Sequence, residues 1–201
     1  MRTSFTSSIR RRFSFMRSLF LALQAAMLLA SPALAQSPYS QGSSTFEAAA
    51  GFDYVHSSRV GTCCFGMTGF NGTFAYNANN NLAAVADLRS FSIGNIEDTG
   101  QSLRLTTFLV GPRFALRGGR FSPFAQVLVG LGHGSSNFPL DNGSAWAVSF
   151  GGGVDVPIKS IISWRVIEVS DLLTHIKNGG NNQQNSVQVS TGIVFGFGTP
   201  K

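Results

Sequence analysis

The stretch His133-Gly134-Ser135-Ser136-Asn137 contains residue types that could hydrolyse an ester or an amide. A histidine can draw the proton from a serine hydroxyl, which then attacks a carbonyl carbon, while a carboxylate orients the histidine. The nearest candidates for that carboxylate are Asp141 and Glu168. A polar loop that leaves a strand explains the same residues without chemistry. We prefer the loop, because one short motif without its third member is weak evidence.

A second polar set lies at positions that, by strand alternation, face the inside of a barrel: Glu47, Asp53, Asp87, Arg89, Arg113, Gln126, Asp155 and Glu168. An eight-stranded barrel is just wide enough to be filled by its inward side chains, so ion pairs across the lumen explain the set structurally. A proton- or ion-conducting path is the functional alternative, since charges within a membrane mark such paths. We expect the structural role.

Cys63 and Cys64 are the only cysteines, and they are adjacent. Neighbouring cysteines cannot join distant parts of a fold, and a metal site needs further ligands at suitable spacing. We therefore expect incidental loop residues, with no disulfide framework, no metal and no cofactor. An intermolecular or redox-labile pair outside the cell is the alternative, and the sequence leaves the redox state of these residues open.

The last strand shows most clearly what kind of element positions these residues. Between residues 186 and 197, one face carries Val187, Val189, Thr191, Ile193, Phe195 and Phe197, and the other carries Ser186, Gln188, Ser190, Gly192, Val194 and Gly196. A period of two indicates a β-strand. One face is apolar along its length and the other is small and polar, which is typical of a strand with lipid outside. A secreted soluble barrel of lipocalin type would need the apolar face inside.

The same alternation predicts eight strands, at 45–56, 67–78, 82–93, 103–116, 121–132, 144–156, 161–174 and 186–197. Lengths of about 11 to 14 residues suit strands tilted through a bilayer. Longer connections (57–66, 94–102, 134–143, 175–184) alternate with shorter ones (77–81, 117–120, 157–160), which is typical of external loops and periplasmic turns. Pro112 predicts a bulge or a strand end. The seventh strand is least clear, because Arg165 and Asp171 oppose Glu168 and Ser170.

The N-terminus reads as a Sec-type signal peptide over residues 1–35, with five arginines, a short apolar run and cleavage near Ala35. Met16 is an alternative start codon. All nine acidic residues and ten of the fifteen basic ones lie after Ala35, so the mature net charge is 10 − 9 = +1. Residues 36–44 form a polar linker. No patch of basic and aromatic residues indicates nucleic-acid binding.

Four segments resemble the OmpA-type eight-stranded outer-membrane barrels: 108–114 (FLVGPRF), 120–125 (RFSPFA), 150–155 (FGGGVD) and 190–195 (STGIVF). The resemblance implies an all-β, eight-stranded antiparallel up-and-down transmembrane β-barrel over 45–197, with a tail at 198–201 and no peptidoglycan-binding domain. It also implies a lipid-facing tyrosine where Asp171 stands. Gly192, Phe195 and Phe197 resemble the signal that the barrel-assembly machinery reads, although four residues follow the final aromatic.

The His133 and Ser135 segment itself resembles the His-x-Ser-Asn cluster of outer-membrane lipid A deacylases, with one extra residue before Asn137. We expect instead a monomeric, non-catalytic outer-membrane barrel with an envelope-structural or loop-presenting role, and deacylase and narrow-pore alternatives. Its expected partners are outer-membrane lipid and lipopolysaccharide. Five aromatic residues are candidates for interfacial girdles: Tyr39, Tyr54, Tyr76, Trp146 and Trp164.

Overall fold

The computed structural model describes residues 44–59, 62–94, 102–136, 143–175 and 184–200. Residues 1–35, most of the linker, Tyr39 and the loop residues Asn137 and Asp141 lie outside these ranges. Cys63 and Cys64 fall within a strand, but their side chains lie outside the description. None of the described residues forms a helix that is long and apolar enough to cross a membrane.

Eight antiparallel strands close into one barrel in sequence order. They are β1 (Ser44–Arg59), β2 (Thr62–Asn77), β3 (Leu82–Ile93), β4 (Leu103–Ala115), β5 (Ser122–Ser136), β6 (Gly143–Lys159), β7 (Ile162–Thr174) and β8 (Gln184–Pro200). Pairing of β1 with β8 closes the sheet, so that both strands have two partners. The predicted fold class is confirmed.

The outward face of the barrel is apolar. Phe70, Leu131 and Phe108 are 72%, 62% and 54% exposed. They belong to a belt of large apolar side chains that surrounds the barrel. In β8 the outward Val187 and Phe195 are exposed, whereas the inward Gln188 is buried. Exposing such a belt to water is energetically unfavourable, whereas contact with the hydrocarbon of a bilayer is not. The soluble lipocalin-type alternative is therefore excluded by the sidedness of the sheet.

Several strands are longer than predicted. The β1–β2 ladder continues to the pair Arg59 and Thr62, so the predicted loop 57–66 is wrong. Strand β5 runs to Ser136 rather than 132, and β8 includes Gly198–Pro200, which the sequence placed in a tail. Apolar alternation marks only the lipid-facing part of a strand, but backbone groups beyond the lipid still gain by pairing. The hydrogen-bonded strands therefore extend beyond the segments in which apolar residues alternate.

Pro112 and Pro157 do not end the strands that contain them. The predicted bulge or strand end at Pro112 is wrong, because Val110 pairs with Val129 and Arg113 with Gln126 in one unbroken register. Between β4 and β5, only the register pairs that would lie between these two are absent, because proline has no N–H to donate. Strand β6 likewise continues through Pro157, and the turn is at Ser160–Ile161 instead of 157–160.

A bulge in β7 explains the unclear parity of that strand. The register with β6 shifts between Val154 and Asp155, and the register with β8 shifts between Arg165 and Glu168. A bulge inserts one residue and so moves the side chains after it to the opposite face. Arg165 and Glu168 therefore both point inward, although simple alternation puts them on opposite faces. Asp171 points outward beside Phe150 and Val187.

Glycines on inward positions make room for aromatic side chains in the lumen. A Cβ added to Gly69 would lie 2.2 Å from the Ser90 carbonyl oxygen and 2.8 Å from Cδ1 of Phe91. Gly153 has the same relation to Phe124, whose Cζ would lie 2.8 Å away. The two aromatic rings therefore depend on the glycines opposite them.

We expect Gly69→Ala to lower the free energy of unfolding by about 1–3 kcal/mol, because the added methyl overpacks a filled interior. The matched control is Gly72→Ala on the same strand, where an added Cβ would meet nothing within 4 Å. Urea unfolding of the refolded barrel in phospholipid vesicles measures both. Equal stability of the two variants would contradict this account of Gly69.

Candidate functional site

The charged cluster of the lumen is centred on Arg89, which is almost fully buried. Its Nε donates to Oδ1 of Asp87 at 2.8 Å, and its Nη1 donates to Oδ1 of Asp53 at 3.3 Å. Its Nη2 donates to Oε1 of Glu168, on the far side of the barrel. One guanidinium thus joins three carboxylates from β1, β3 and β7.

Glu168 connects this group to a second arginine. Nη1 of Arg165 donates to Oε2 of Glu168 at 3.0 Å, and Nε of Arg165 donates to Oδ1 of Asp155 at 2.9 Å. Nε2 of Gln126 donates to Oε1 of Glu168 at 3.0 Å. The chain of contacts therefore crosses the lumen from β3 to β7 and returns to β5 and β6. Charges this deeply buried are tolerated only when they are paired in this way.

Arg113 is held differently from the other arginines. Its Nε donates to Oε1 of Gln126 at 2.9 Å, and its guanidinium carbon lies 4.7 Å from the centre of the Phe124 ring. Arg165 contacts the same ring at 4.5 Å. A ring face attracts cations through its quadrupole. Phe124 therefore contributes to the placement of both arginines near the turn end of the barrel.

Glu47 lies closest to the turn end. It accepts hydrogen bonds from Nη2 of Arg117 at 2.7 Å and from Nδ2 of Asn77 at 2.9 Å. A cavity of about 60 Å³ opens here, and its lining includes Arg113 and Asp155. This end of the lumen is polar and accessible from the turn side.

The loop half of the lumen contains an apolar layer instead, beside small polar side chains such as Thr174 and Ser186. A set that we call the lumen plug lies near the loop ends of the strands and consists of Val55, Met67, Phe91, Leu105 and Leu172, all buried in one cluster. Val55 is the register partner of Met67, and Phe91 is the partner of Leu105, so these side chains come from adjacent strands. The described lumen thus combines a paired charged cluster with an apolar layer above it.

His133 and Ser135 do not form a catalytic pair in this structure. Both side chains point outward, and Nδ1 of His133 lies 2.9 Å from Oγ of Ser144 rather than near Ser135. Glu168 cannot orient His133, because Glu168 lies inside the barrel. Its candidacy for the third member of a triad is wrong, and Asp141 lies outside the described residues.

All eight polar residues that alternation placed inside do point into the lumen, and most are buried. Sequence reasoning missed five further residues that bond to them: Asn71, Asn77, Arg117, Arg165 and Gln188. Strand parity could have identified Gln188, whereas Arg165 was hidden by the bulge. Among the described residues, no group of three or more His, Cys, Asp or Glu side chains could hold a metal ion.

Four of the candidate girdle aromatics lie on the outward face at two heights. Tyr54 and Trp146 lie toward the loop ends of their strands, and Tyr76 and Trp164 lie toward the turn ends. Each is between 44% and 54% exposed. Aromatic side chains at two levels are typical of the two interfaces of a bilayer.

These features have a counterpart among known proteins. The model of the outer membrane protein beta-barrel domain matches residues 22–197, which is most of the chain. The chain belongs to this family. It is an outer-membrane β-barrel protein, and the predicted OmpA-type resemblance is confirmed. No curated protein matches the chain.

Three solved members of this architecture have folds similar to the barrel. Neisserial surface protein A is 14% identical with a TM-score of 0.60, over 78% of this chain and 99% of that one. Ail, the attachment invasion locus protein of Yersinia pestis, is 17% identical with a TM-score of 0.55, over 76% and 99%. OprG of Pseudomonas aeruginosa is 14% identical with a TM-score of 0.52, over 79% and 99%. At these identities the likeness concerns the fold alone.

We expect Glu168→Gln to lower the free energy of unfolding by about 3–5 kcal/mol, because it leaves two buried guanidinium groups without their shared carboxylate. The control is Glu47→Gln, which removes a pair whose carboxylate side chain is 13% exposed and should cost less. Urea unfolding in vesicles measures both variants. A Glu168→Gln barrel as stable as the control would contradict a structural role for the cluster.

Proposed function

We propose that this outer-membrane barrel acts as a sealed, non-catalytic scaffold that stabilises the envelope and presents its loop end to the exterior. The observation that carries the proposal is the filled lumen, with Arg89 paired to three carboxylates and the lumen plug above them. A scaffold needs a closed and stable barrel, and it needs no path through it. We further propose that the barrel is a monomer, since all its strand edges are paired within one chain.

Export and orientation form part of the same proposal. Residues 1–35 direct Sec-type export with cleavage near Ala35, and the signal at Gly192, Phe195 and Phe197 is read by the barrel-assembly machinery. Ser44 and Pro200 pair at one end of the barrel, so both ends of the domain lie at the same end. We assign this end to the periplasmic side. The connections 94–102 and 175–183 then face out, and the Ser160–Ile161 turn faces in. This agrees with the usual placement of long loops and short turns.

The catalytic alternative is not favoured by any contact at His133. Its imidazole is engaged with Ser144. The described carboxylate that points outward, Asp171, is the register partner of Phe150, six residues along β6 from Ser144, and is too far away to orient His133. An acyl-transfer site needs its base beside the nucleophile. The absence of hydrolysis is therefore part of the proposal.

A role in contacts at the cell surface is supported by the likeness of the fold to Ail. Ail is an attachment invasion locus protein, and it has also been solved in complex with the heparin analogue sucrose octasulfate. The present chain shares the fold of Ail. We propose by analogy that its loops contact partners outside the cell.

We expect the purified wild-type barrel to produce no discrete conductance steps in planar bilayers, because an ion would have to leave water and cross the lumen plug. The control is Phe91→Ser/Leu105→Ser, which removes two plug side chains and should allow ion leakage. Steps from the wild type as large as those of the variant would contradict the sealed lumen and favour the narrow pore.

We expect an epitope inserted between residues 95 and 100 to be labelled by antibody on intact cells. The same epitope inserted in the 117–120 turn should be labelled only after the outer membrane is opened. Both proteins should show heat-modifiable migration on denaturing gels, and N-terminal sequencing should begin at Gln36. The reverse labelling pattern would overturn the proposed orientation.

A further inference from the structure

Polar side chains interrupt the apolar outer surface at the loop end of β3–β6. We call the set Ser92, Arg104, His133, Ser135 and Ser144 the loop-end polar patch. All five residues are exposed and occupy outward positions. The proposed scaffold role does not use His133 or Ser135, so these two residues still lack an explanation.

The register brings the members of the loop-end polar patch together across four consecutive strands. Arg104 is the partner of Ser92 on one side and of Ser135 on the other. His133 is the partner of Ser144, and the two side chains are in hydrogen-bonding contact at 2.9 Å. Directly opposite side chains in a sheet lie about 5 Å apart at Cβ. One small ligand can therefore reach a guanidinium, an imidazole and several hydroxyl groups.

The depth of the loop-end polar patch follows from the residues below it. Two positions farther toward the turn end, the outward side chain below His133 is Leu131 and the one below Ser144 is Trp146. On β4, Phe108 lies four positions from Arg104, with the polar Thr106 between them. Leu131, Trp146 and Phe108 are each more than half exposed. Tryptophan is enriched where the hydrocarbon meets the headgroups. A step of two residues along a strand is about 7 Å, less after tilting. The patch therefore lies at headgroup height, directly above the apolar belt on β5 and β6 and one polar position above it on β3 and β4, where Ser90 and Thr106 intervene.

The charge of the loop-end polar patch selects an anion. The described outward positions of β3–β6 include Arg104 and no aspartate or glutamate, and none of the salt bridges among the described residues involves Arg104. Guanidinium groups bind phosphate through paired, charge-assisted hydrogen bonds. If the Ser144 hydroxyl donates to Nδ1 of His133, the imidazole proton is on Nε2, where it can be donated to a ligand.

We propose that the loop-end polar patch binds the phosphate of an anionic lipid in the outer leaflet. Arg104 donates to the phosphate oxygens, and His133 and Ser135 donate from the neighbouring strand. The acyl chains of the same lipid pack on Phe108 and Leu131 below. This continuity with the apolar belt favours a lipid over free phosphate. The inference rests on the proposed orientation, with the loop end outside, and it assigns His133 and Ser135 to binding rather than to hydrolysis.

Trp146 provides a reporter beside the loop-end polar patch, since the only other tryptophan is Trp164 near the turn end. In a Trp164→Phe background in phosphatidylcholine nanodiscs, added diphosphoryl lipid A should change Trp146 emission in a saturable way. Arg104→Gln/His133→Gln should weaken the apparent affinity about tenfold or more, because each lost charge-assisted hydrogen bond weakens binding severalfold. Arg104→Lys should retain part of the affinity. Arg120→Gln, the same change in a turn at the opposite end, should retain all of it.

Two results would overturn the inference. The first is equal affinity of the wild type and Arg104→Gln/His133→Gln. The second is saturation of the Trp146 response by millimolar inorganic phosphate alone, which would indicate a site for a free anion. Heat-modifiable migration of every variant shows that the barrel is folded. A wild type without heat-modifiable migration would mean instead that the proposed membrane scaffold has failed, independently of the patch.

Discussion

The structure depends on the requirement that every backbone N–H and C=O within hydrocarbon be paired inside the protein. Water is absent there, and each unpaired group costs several kcal/mol. Closure of β1 against β8 meets this requirement and leaves no free edge. Lipid then surrounds the sheet, so the apolar residues of each strand face outward and the remaining polar residues face a narrow lumen.

The lumen meets a second requirement, which is that buried charge be neutralised. The charged cluster does so with a few multiply bonded groups, of which Arg89 and Glu168 hold the largest number of contacts. Long side chains reach across a barrel of this width, so residues far apart in sequence become partners. The lumen plug occupies the loop half without charges. Together the charged cluster and the lumen plug fill the lumen, which favours a scaffold over a pore.

The outer surface changes character where the hydrocarbon ends. Below Trp146 the strands present large apolar side chains, and above it they present hydroxyl, imidazole and guanidinium groups. The role that we infer for His133 and Ser135 depends on this position. On a soluble enzyme the same residue types would suggest a nucleophile and a base, but at headgroup height they match the polar part of a lipid.

The sequence by itself determined the fold class, the number of strands and the inward or outward direction of most side chains, because a period of two combined with one apolar face admits few other structures. The inward charged residues followed from that period. Only the tertiary structure decided how they pair, since Arg165 enters the lumen through a bulge that no alternation reveals. It also decided the partner of His133, because the contact with Ser144 depends on the register between β5 and β6. Register is set by the geometry of the turn and by the match between the apolar patterns of two strands, and neither is encoded within one strand alone.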